Sequence, residues 1–229
     1  MKNIAIITAR GNSKRIPRKN IKSFCGKPII SYSIKACQDS SLFDKIIVST
    51  DDPEIAEVSK SLGAEVPFIR SVKNSDDFAT TSDVLDEVLI KLRNLGIDPE
   101  IFCCLYPTAP FVTADLLRRS FNIFQSENSE ALCPIVRFSF PPQRGFIAEK
   151  NKIKYAQPEF QNTRSQDIEP LYHDVGQFYW RKTNSFLESK KLITDNTSYI
   201  EIPESQARDI DTLEDWKIAE ALFKCQKLD

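Results

Sequence analysis

The sequence predicts an α/β fold: a Rossmann-like, mixed but mainly parallel sheet flanked by helices, with a small hairpin-bearing excursion. Three observations predict it. Short, nearly continuous apolar runs alternate with helical patterns through the first two thirds of the chain, as they do where strands are covered on both faces. Proline and glycine sit at the starts and stops of the helical stretches. Near Phe138 the alternation breaks into paired prolines and polar-aromatic sequence, which suits a hairpin better than another βα unit.

Taken in order, Asn3–Thr8 reads as the first strand, and a helix over Pro28–Asp39 follows it with proline in the first turn. Lys45–Ser49 is the next strand, and Pro53–Leu62 the next helix, stopped by Gly63. Glu65–Ile69 reads as a strand, Thr81–Leu95 as a helix ended at Gly96, and Ile101–Tyr106 as a strand. Thr113, with Leu116-Leu117 behind it, caps a helix to Ser126, and Ala131–Val136 is a further strand. The excursion spans about residues 138–172, with Asn151-Lys152 between two short strands. Gly176–Trp180 and Ser198–Ile202 read as strands, and Thr212 caps a last helix through Phe223. The whole chain, 1–229, reads as one domain.

Composition narrows the function. With 31 Lys and Arg against 32 Asp and Glu, the net charge is −1. No global basic field draws such a chain to nucleic acid or an anionic membrane. The four-residue apolar run Ile4 to Ile7 is too short for a signal core, and nothing approaches a membrane span. Cys25, Cys37, Cys103, Cys104, Cys133 and Cys225 show no C-x-x-C pair and no metal spacing. They read as reduced thiols, and the expected location is the cytoplasm.

The chemistry gathers where the first strand ends. Arg10, Lys14, Arg15, Arg18 and Lys19 fall within ten residues that hold no acid. In parallel sheets ligands bind beyond the carboxyl ends of the strands, where this loop lies. Gly11 allows close backbone approach to a phosphate, and lysine and arginine supply the charge. One cation about 4 Å from a phosphate contributes roughly 4 kcal/mol at an effective dielectric near 20. The spacing is neither that of a Walker A loop nor that of a dinucleotide fingerprint.

Further on, Asp209 and Asp211 flank Ile210 on an extended segment, so both carboxylates project to one side. Two hard oxygen ligands suit Mg²⁺. The alternative is that Asp211 helps cap the helix begun at Thr212. Asp51-Asp52 before Pro53 reads as a helix cap rather than a ligand. His173, the single histidine, lies between Tyr172 and Asp174 and is expected to hydrogen-bond locally.

The stretch Ala9-Arg10-Gly11-Asn12-Ser13-Lys14-Arg15-Ile16-Pro17-Arg18-Lys19-Asn20 resembles the signature of the CMP-sugar synthetases, the cytidylyltransferases that activate sialic and related nonulosonic acids. The resemblance runs on through Ser49-Thr50-Asp51-Asp52, Arg70, Ala79-Thr80-Thr81-Ser82-Asp83, Tyr106-Pro107-Thr108-Ala109-Pro110, Arg164-Ser165-Gln166-Asp167 and Asp209-Ile210-Asp211. It implies a fold of the nucleotide-diphospho-sugar transferase type and CTP as co-substrate. Arg10, Gly11, Lys14, Lys19 and Asn20 then meet triphosphate and ribose, and Arg70, Ala79 and Thr81 meet cytosine. Asp209 and Asp211 hold Mg²⁺, and Lys14, Lys19 and Asp209 are the catalytic candidates, with Asp209 a candidate base. Asn12 stands where the family usually has a second glycine, so a left-handed turn is expected there.

Tyr106 replaces the glutamine usual in sialic acid synthetases, and Gly176-Gln177-Phe178-Tyr179-Trp180 departs from their segment too. These features resemble the branch of the family that acts on pseudaminic acid. Tyr106, Arg164, Gln177, Phe178 and Tyr179 become candidates for the acidic nine-carbon sugar, with core packing the alternative for Phe178 and Trp180. By the same analogy the excursion reaches a neighbouring subunit in a homodimer, and Arg164 acts across it. Three rivals are a sialic or legionaminic acid cytidylyltransferase, a noncatalytic regulator that binds a nucleotide or phosphosugar, and a nucleic-acid-binding module, against which the near-neutral charge and the single short basic loop count.

Overall fold

A computed structural model describes residues 2–76 and 78–226 of the chain. In chain order the elements are β1 (Asn3–Thr8), β2 (Ser23–Phe24), β3 (Lys27–Pro28), α1 (Ile30–Ser40), β4 (Lys45–Ser49) and α2 (Pro53–Ser61). Then come α3 (Thr81–Asn94), β5 (Ile101–Leu105), α4 (Ala114–Ser126), β6 (Ala131–Arg137), β7 (Phe146–Glu149) and β8 (Lys152–Tyr155). The last are β9 (Tyr172–Asp174), β10 (Phe178–Lys182), α5 (Thr183–Ser189), β11 (Thr197–Glu201) and α6 (Leu213–Cys225).

The main sheet runs β11-β6-β10-β5-β1-β4, with β9 on the far end of β6. β1 lies parallel to both β4 and β5, and β11 parallel to β6. β10 enters antiparallel between β5 and β6. The sheet is therefore mixed and mainly parallel, as the alternating pattern predicts. The carboxyl ends of β1, β4 and β5 share one edge, and the antiparallel β10 brings its amino end, Phe178, to the same edge.

Two apolar layers bury the sheet faces, because its central strands are apolar on both faces apart from Arg181 of β10, itself wholly buried. One packs Ala5, Ile7 and Trp180 with α1 and α4. The other packs Ile4, Ile6 and Phe102 with Val84, Leu85, Val88 and Leu92 of α3 and Phe186 of α5. A third cluster matters most for function: Ile16, Phe24 and Ile29 meet Ile210, Trp216, Ala219 and Phe223. Phe24 stands edge-on to Trp216 and Phe223, with centroids 5.5 and 5.4 Å apart. That packing pins the segment before α6 beside the basic loop after β1.

Four expectations are corrected. Residues Glu65–Ile69 form no strand: Glu65 makes one parallel bridge to Ile47, and Pro67, lacking an N–H, cannot extend the ladder. α1 starts at Ile30, because Pro28 belongs to a two-residue ribbon with Ser23. β10 begins at Phe178, since Gly176 turns with φ +66°. Neither Gly11 nor Asn12 takes a positive φ; Arg18 does, at +55°. The excursion carries its hairpin, β7–β8, turned at Lys150-Asn151 with φ of +51° and +62°, the left-handed pair that a type I′ turn needs. All six cysteines are free of disulfides, with Cys37, Cys103, Cys104 and Cys133 buried. No helix among the described residues is long and apolar enough to cross a membrane.

Candidate active site

A cleft of about 600 Å³ opens at the edge where β1 and β5 end. It is lined by Arg10, Ser13, Lys14, Arg15, Lys19 and Asn20 on one side, by Arg70, Asn74, Asp76, Ala79, Thr81 and Val84 on another, and by Thr8, Tyr106, Pro107 and Thr108. Sequence reasoning selects eight of these: Arg10, Lys14, Lys19, Asn20, Arg70, Ala79, Thr81 and Tyr106. They lie up to a hundred residues apart in sequence and line one cavity.

The basic loop is held by named contacts. Asn20 is buried and donates its Nδ2 to the carbonyl of Arg10 at 2.8 Å. Asp51 Oδ1 accepts the Gly11 N–H at 2.8 Å. That gives Gly11 a different task from the one its type suggests, since its amide is spent on Asp51 and its bare Cα faces Asp52. Asp52 caps α2, accepting from the Glu54 and Ile55 amides at 2.9 and 3.0 Å, and pairs with Arg18. Arg18 also pairs with Glu54. The Arg18 guanidinium holds the Asp52 carboxyl below its usual range. Arg18 is thus a brace for the loop and does not line the cleft.

Lys19 ties the loop to the other end of the chain. Its Nζ donates to the carbonyl of Ile210 at 2.8 Å and stands 3.6 Å from Asp211 Oδ1. Arg15 pairs with the same oxygen at 2.8 Å. The Asp209 carboxyl is pushed above its ordinary value, by desolvation first and then by the neighbouring Asp211 charge, against the pull of Lys19 and Arg15. The two carboxylates, coupled through their charges, offer hard oxygen donors, and no third His, Cys, Asp or Glu among the described residues joins them as a metal group. That set fits Mg²⁺, which takes few protein ligands and fills its shell with water and phosphate oxygens. Thr212 caps α6 through a capping box with Asp215, so the cap does not call on the Asp211 side chain.

Arg70 is 6% exposed and donates its Nε to Ser49 Oγ at 3.0 Å and its Nη2 to the Ser49 carbonyl. Burial lowers its pKa, with Asp51 and Glu87 opposing. Asp76 Oδ1 accepts from the Phe78 and Ala79 amides, fixing the segment before α3.

Toward the middle of the sheet a phenolic pair lies under the cleft. Tyr106 OH and Thr81 Oγ1 are 3.0 Å apart, and the Tyr106 and Tyr179 rings meet at 5.9 Å. Tyr179 donates its hydroxyl to Asp174 Oδ2. Burial pushes Tyr106 up to about 12, with Thr81 and Tyr179 pulling the other way. Gln177 is 1% exposed; its Nε2 donates to the Gln206 carbonyl, while its Oε1 is buried without a hydrogen bond. Phe178 is wholly buried in the core, so of its two readings core packing holds, as it does for Trp180. Arg164 lies on the excursion, exposed and paired with Asp167 at 2.7 Å, and does not line the cleft of its own chain. His173 meets the neighbouring Asp174 carbonyl at 3.0 Å. Asn74, Asp76 and Glu87 escape sequence reading, since a polar residue in a turn and an i,i+4 Glu–Lys pair on a helix read as ordinary surface.

Known proteins share this sequence and this fold. The cytidylyltransferase family profile matches residues 4–219. The pseudaminic acid cytidylyltransferase of Campylobacter jejuni is 39% identical over 225 residues, covering 98% of this chain and 97% of that protein. The CMP-N,N'-diacetyllegionaminic acid synthase of Legionella pneumophila is 32% identical, over 98% and 97% of the two chains. Among solved structures, CMP:2-keto-3-deoxy-manno-octonic acid synthetase complexed with CTP superposes with a TM-score of 0.70, covering 99% of this chain and 100% of that one, at 16% identity. At that identity the likeness is one of fold. The profile, by contrast, takes in the basic loop at one end and the Asp209–Asp211 segment at the other, and on that span the chain belongs to the cytidylyltransferase family.

Proposed function

We propose that this chain transfers CMP from CTP to the anomeric hydroxyl of a nonulosonic acid, pseudaminic acid by preference, and releases pyrophosphate, for bacterial surface glycan synthesis. One observation carries the reading: Lys19, a wall of the cleft, reaches both the Ile210 carbonyl and Asp211, which sets the carboxylates from the far end of the sequence beside the cations of the cleft. The choice of sugar follows the relatives, named for pseudaminic acid at 39% identity and for a legionaminic acid at 32%. Tyr106 in place of an amide points the same way, because a matched polar partner shifts specificity strongly.

In this reading Arg10, Lys14 and Lys19 neutralise the triphosphate and Asn20 meets the ribose. Arg70, with Ala79 and Thr81, holds the base. The sugar oxygen forms a bond to the α-phosphorus as the bridging α–β oxygen leaves with pyrophosphate. The work of the side chains is positioning and neutralisation of charge. Mg²⁺ at Asp209 and Asp211 supplies a Lewis acid for the phosphate oxygens. Asp209 is the candidate base for the proton of the attacking hydroxyl, through a carboxylate oxygen not spent on the metal; Arg15 and Lys19 already pair with Asp211. Tyr106, Gln177 and Tyr179 shape the sugar side. The excursion, with Phe140 and Ile153 exposed, joins two chains into a homodimer and carries Arg164 to the partner's sugar.

Pyrophosphate release from CTP, measured with pseudaminate, diacetyllegionaminate and N-acetylneuraminate, tests the proposal. Pseudaminate is expected to give the highest kcat/KM; faster turnover with N-acetylneuraminate would reject the sugar. Asp211→Ala is expected to abolish Mg²⁺-dependent release in a folded protein, and retained turnover would reject the metal role.

A further inference from the structure

Glu87 on α3 makes an unusual number of bonds for a helix-surface acid. Its side chain is 11% exposed. Its oxygens accept from Ser71 N at 2.8 Å, Ser71 Oγ at 2.6 Å, Asn74 Nδ2 at 2.6 Å and Lys91 Nζ at 2.5 Å. These bonds strap the turn after Arg70 onto α3. Asn74 in that turn lines the cleft beside Arg70 and Ala79. Its Nδ2 is spent on α3, since it donates to the Asp83 carbonyl at 3.3 Å as well as to Glu87. A carboxylate accepts and never donates, so the amide cannot turn its oxygen toward Glu87. With Nδ2 held there, the oxygen is left on the side of the amide away from Glu87.

Resting on the nucleotide reading above, we infer that Asn74 selects the base, its Oδ1 accepting from the 4-amino group of cytosine, and that Glu87 is the positioning residue that keeps this oxygen turned to the cleft. Uracil carries an oxo group at that position and would face the Asn74 oxygen lone pair to lone pair. A site built to bond a substrate N–H rejects analogues that lack it.

The test compares kcat/KM for CTP, UTP and the triphosphate of 2-pyrimidinone riboside, which lacks the 4-amino group, with one acidic sugar. Wild type should use the deamino analogue about 10–100-fold less well than CTP, the loss of one hydrogen bond. In Asn74→Ala, CTP should fall to the level of the analogue, mainly through KM, while the analogue changes less than about threefold. Asn74→Ser should narrow the ratio likewise, and carries the comparison if the alanine variant does not fold. Glu87→Gln frees the amide to flip and should relax discrimination against UTP. A turn that serves only as scaffold would lower CTP and analogue together and leave their ratio unchanged, and that result overturns the inference. If wild type turns over no acidic sugar, the proposed function fails; the same nucleotide ratio read by calorimetric binding still decides the role of Asn74.

Discussion

At Gly11 an added Cβ would stand 2.8 Å from both Cβ and Oδ2 of Asp52, and Asp52 cannot retreat because it caps α2 and holds Arg18. Gly11→Ala is therefore expected to cost about 1–3 kcal/mol, the usual range for overpacking, measured as a fall in the urea midpoint. Loosening of the loop should raise the KM for CTP in the same variant. Glu87 allows a second prediction. Burial alone would raise its pKa, but the hydrogen bonds from Lys91, Ser71 and Asn74 win and pull it from 4.5 down to about 2. A depressed carboxyl stabilises the fold above its unfolded pKa, and that contribution disappears as pH falls through the folded value. Charge at Glu87 is thus worth on the order of 2–3 kcal/mol at neutral pH, and about 1 kcal/mol of it should be gone by pH 4. Urea unfolding of wild type and Glu87→Gln at pH 7, 5.5 and 4 should show the gap between them closing as the pH drops. A gap that stays constant would mean the carboxylate contributes shape and no charge.

Elements were legible where local chemistry decides them. Asp52, Thr80, Thr113 and Thr212 each cap a helix; the sequence reading named the first and the last two, and its helix from Thr81 puts Thr80 at the cap position. Gly63 and Gly96 have φ of +88° and +75° just past their helices, as the stop signals require. What failed was set by partners distant in sequence. Residues 65–69 have strand composition, yet Pro67 leaves a single bridge. Arg18 reads as one more phosphate cation, but α2 claims it. Phe178 and Tyr179 are neighbours of similar type, and only the strand's alternation puts Phe178 in the layer against α1 and α4 and Tyr179 in the layer on the opposite face, beside Tyr106. Eight of the candidate residues line one cleft, whereas Gly11, Arg164, Gln177, Phe178, Tyr179, Asp209 and Asp211 do not, and the bonds that orient the lining, Glu87 to Asn74 above all, were not legible. Because Thr212 follows Asp211 directly, its cap can be probed by itself. Thr212→Ala leaves the Asp215 amide without its partner and should cost about 1 kcal/mol, read by thermal unfolding. On the proposed metal role, the frayed turn should also raise the Mg²⁺ concentration needed for half-maximal rate.

For the molecule as a whole, three long-range ties decide the active edge: the parallel register of β1 with β5, the antiparallel entry of β10, and the packing of α6 under the basic loop. None of them brings Arg164 to the cleft, since the excursion that bears it leads away from the main sheet into its own hairpin. That hairpin exposes Phe146 at 54% and Ile153 at 66%, and Phe140 just before it at 87%. Apolar side chains grouped this way are a candidate association surface. In the proposed homodimer they are covered and Arg164 reaches the partner's sugar, whereas a monomer leaves Arg164 idle. Subunit complementation separates the two. Arg164→Ala and Asp211→Ala should each be inactive alone. Co-expressed and refolded together, half of the dimers carry one chain of each kind. If Arg164 acts across the interface, one site in each mixed dimer regains both an intact Asp211 and an intact Arg164, so about a quarter of wild-type sites recover. If it acts within its own chain, every mixed site lacks one of the two residues and no activity returns. Phe146→Lys with Ile153→Lys, which charges the shared face of the exposed hairpin, should move the sedimentation coefficient to that of a monomer and remove the regained activity with it.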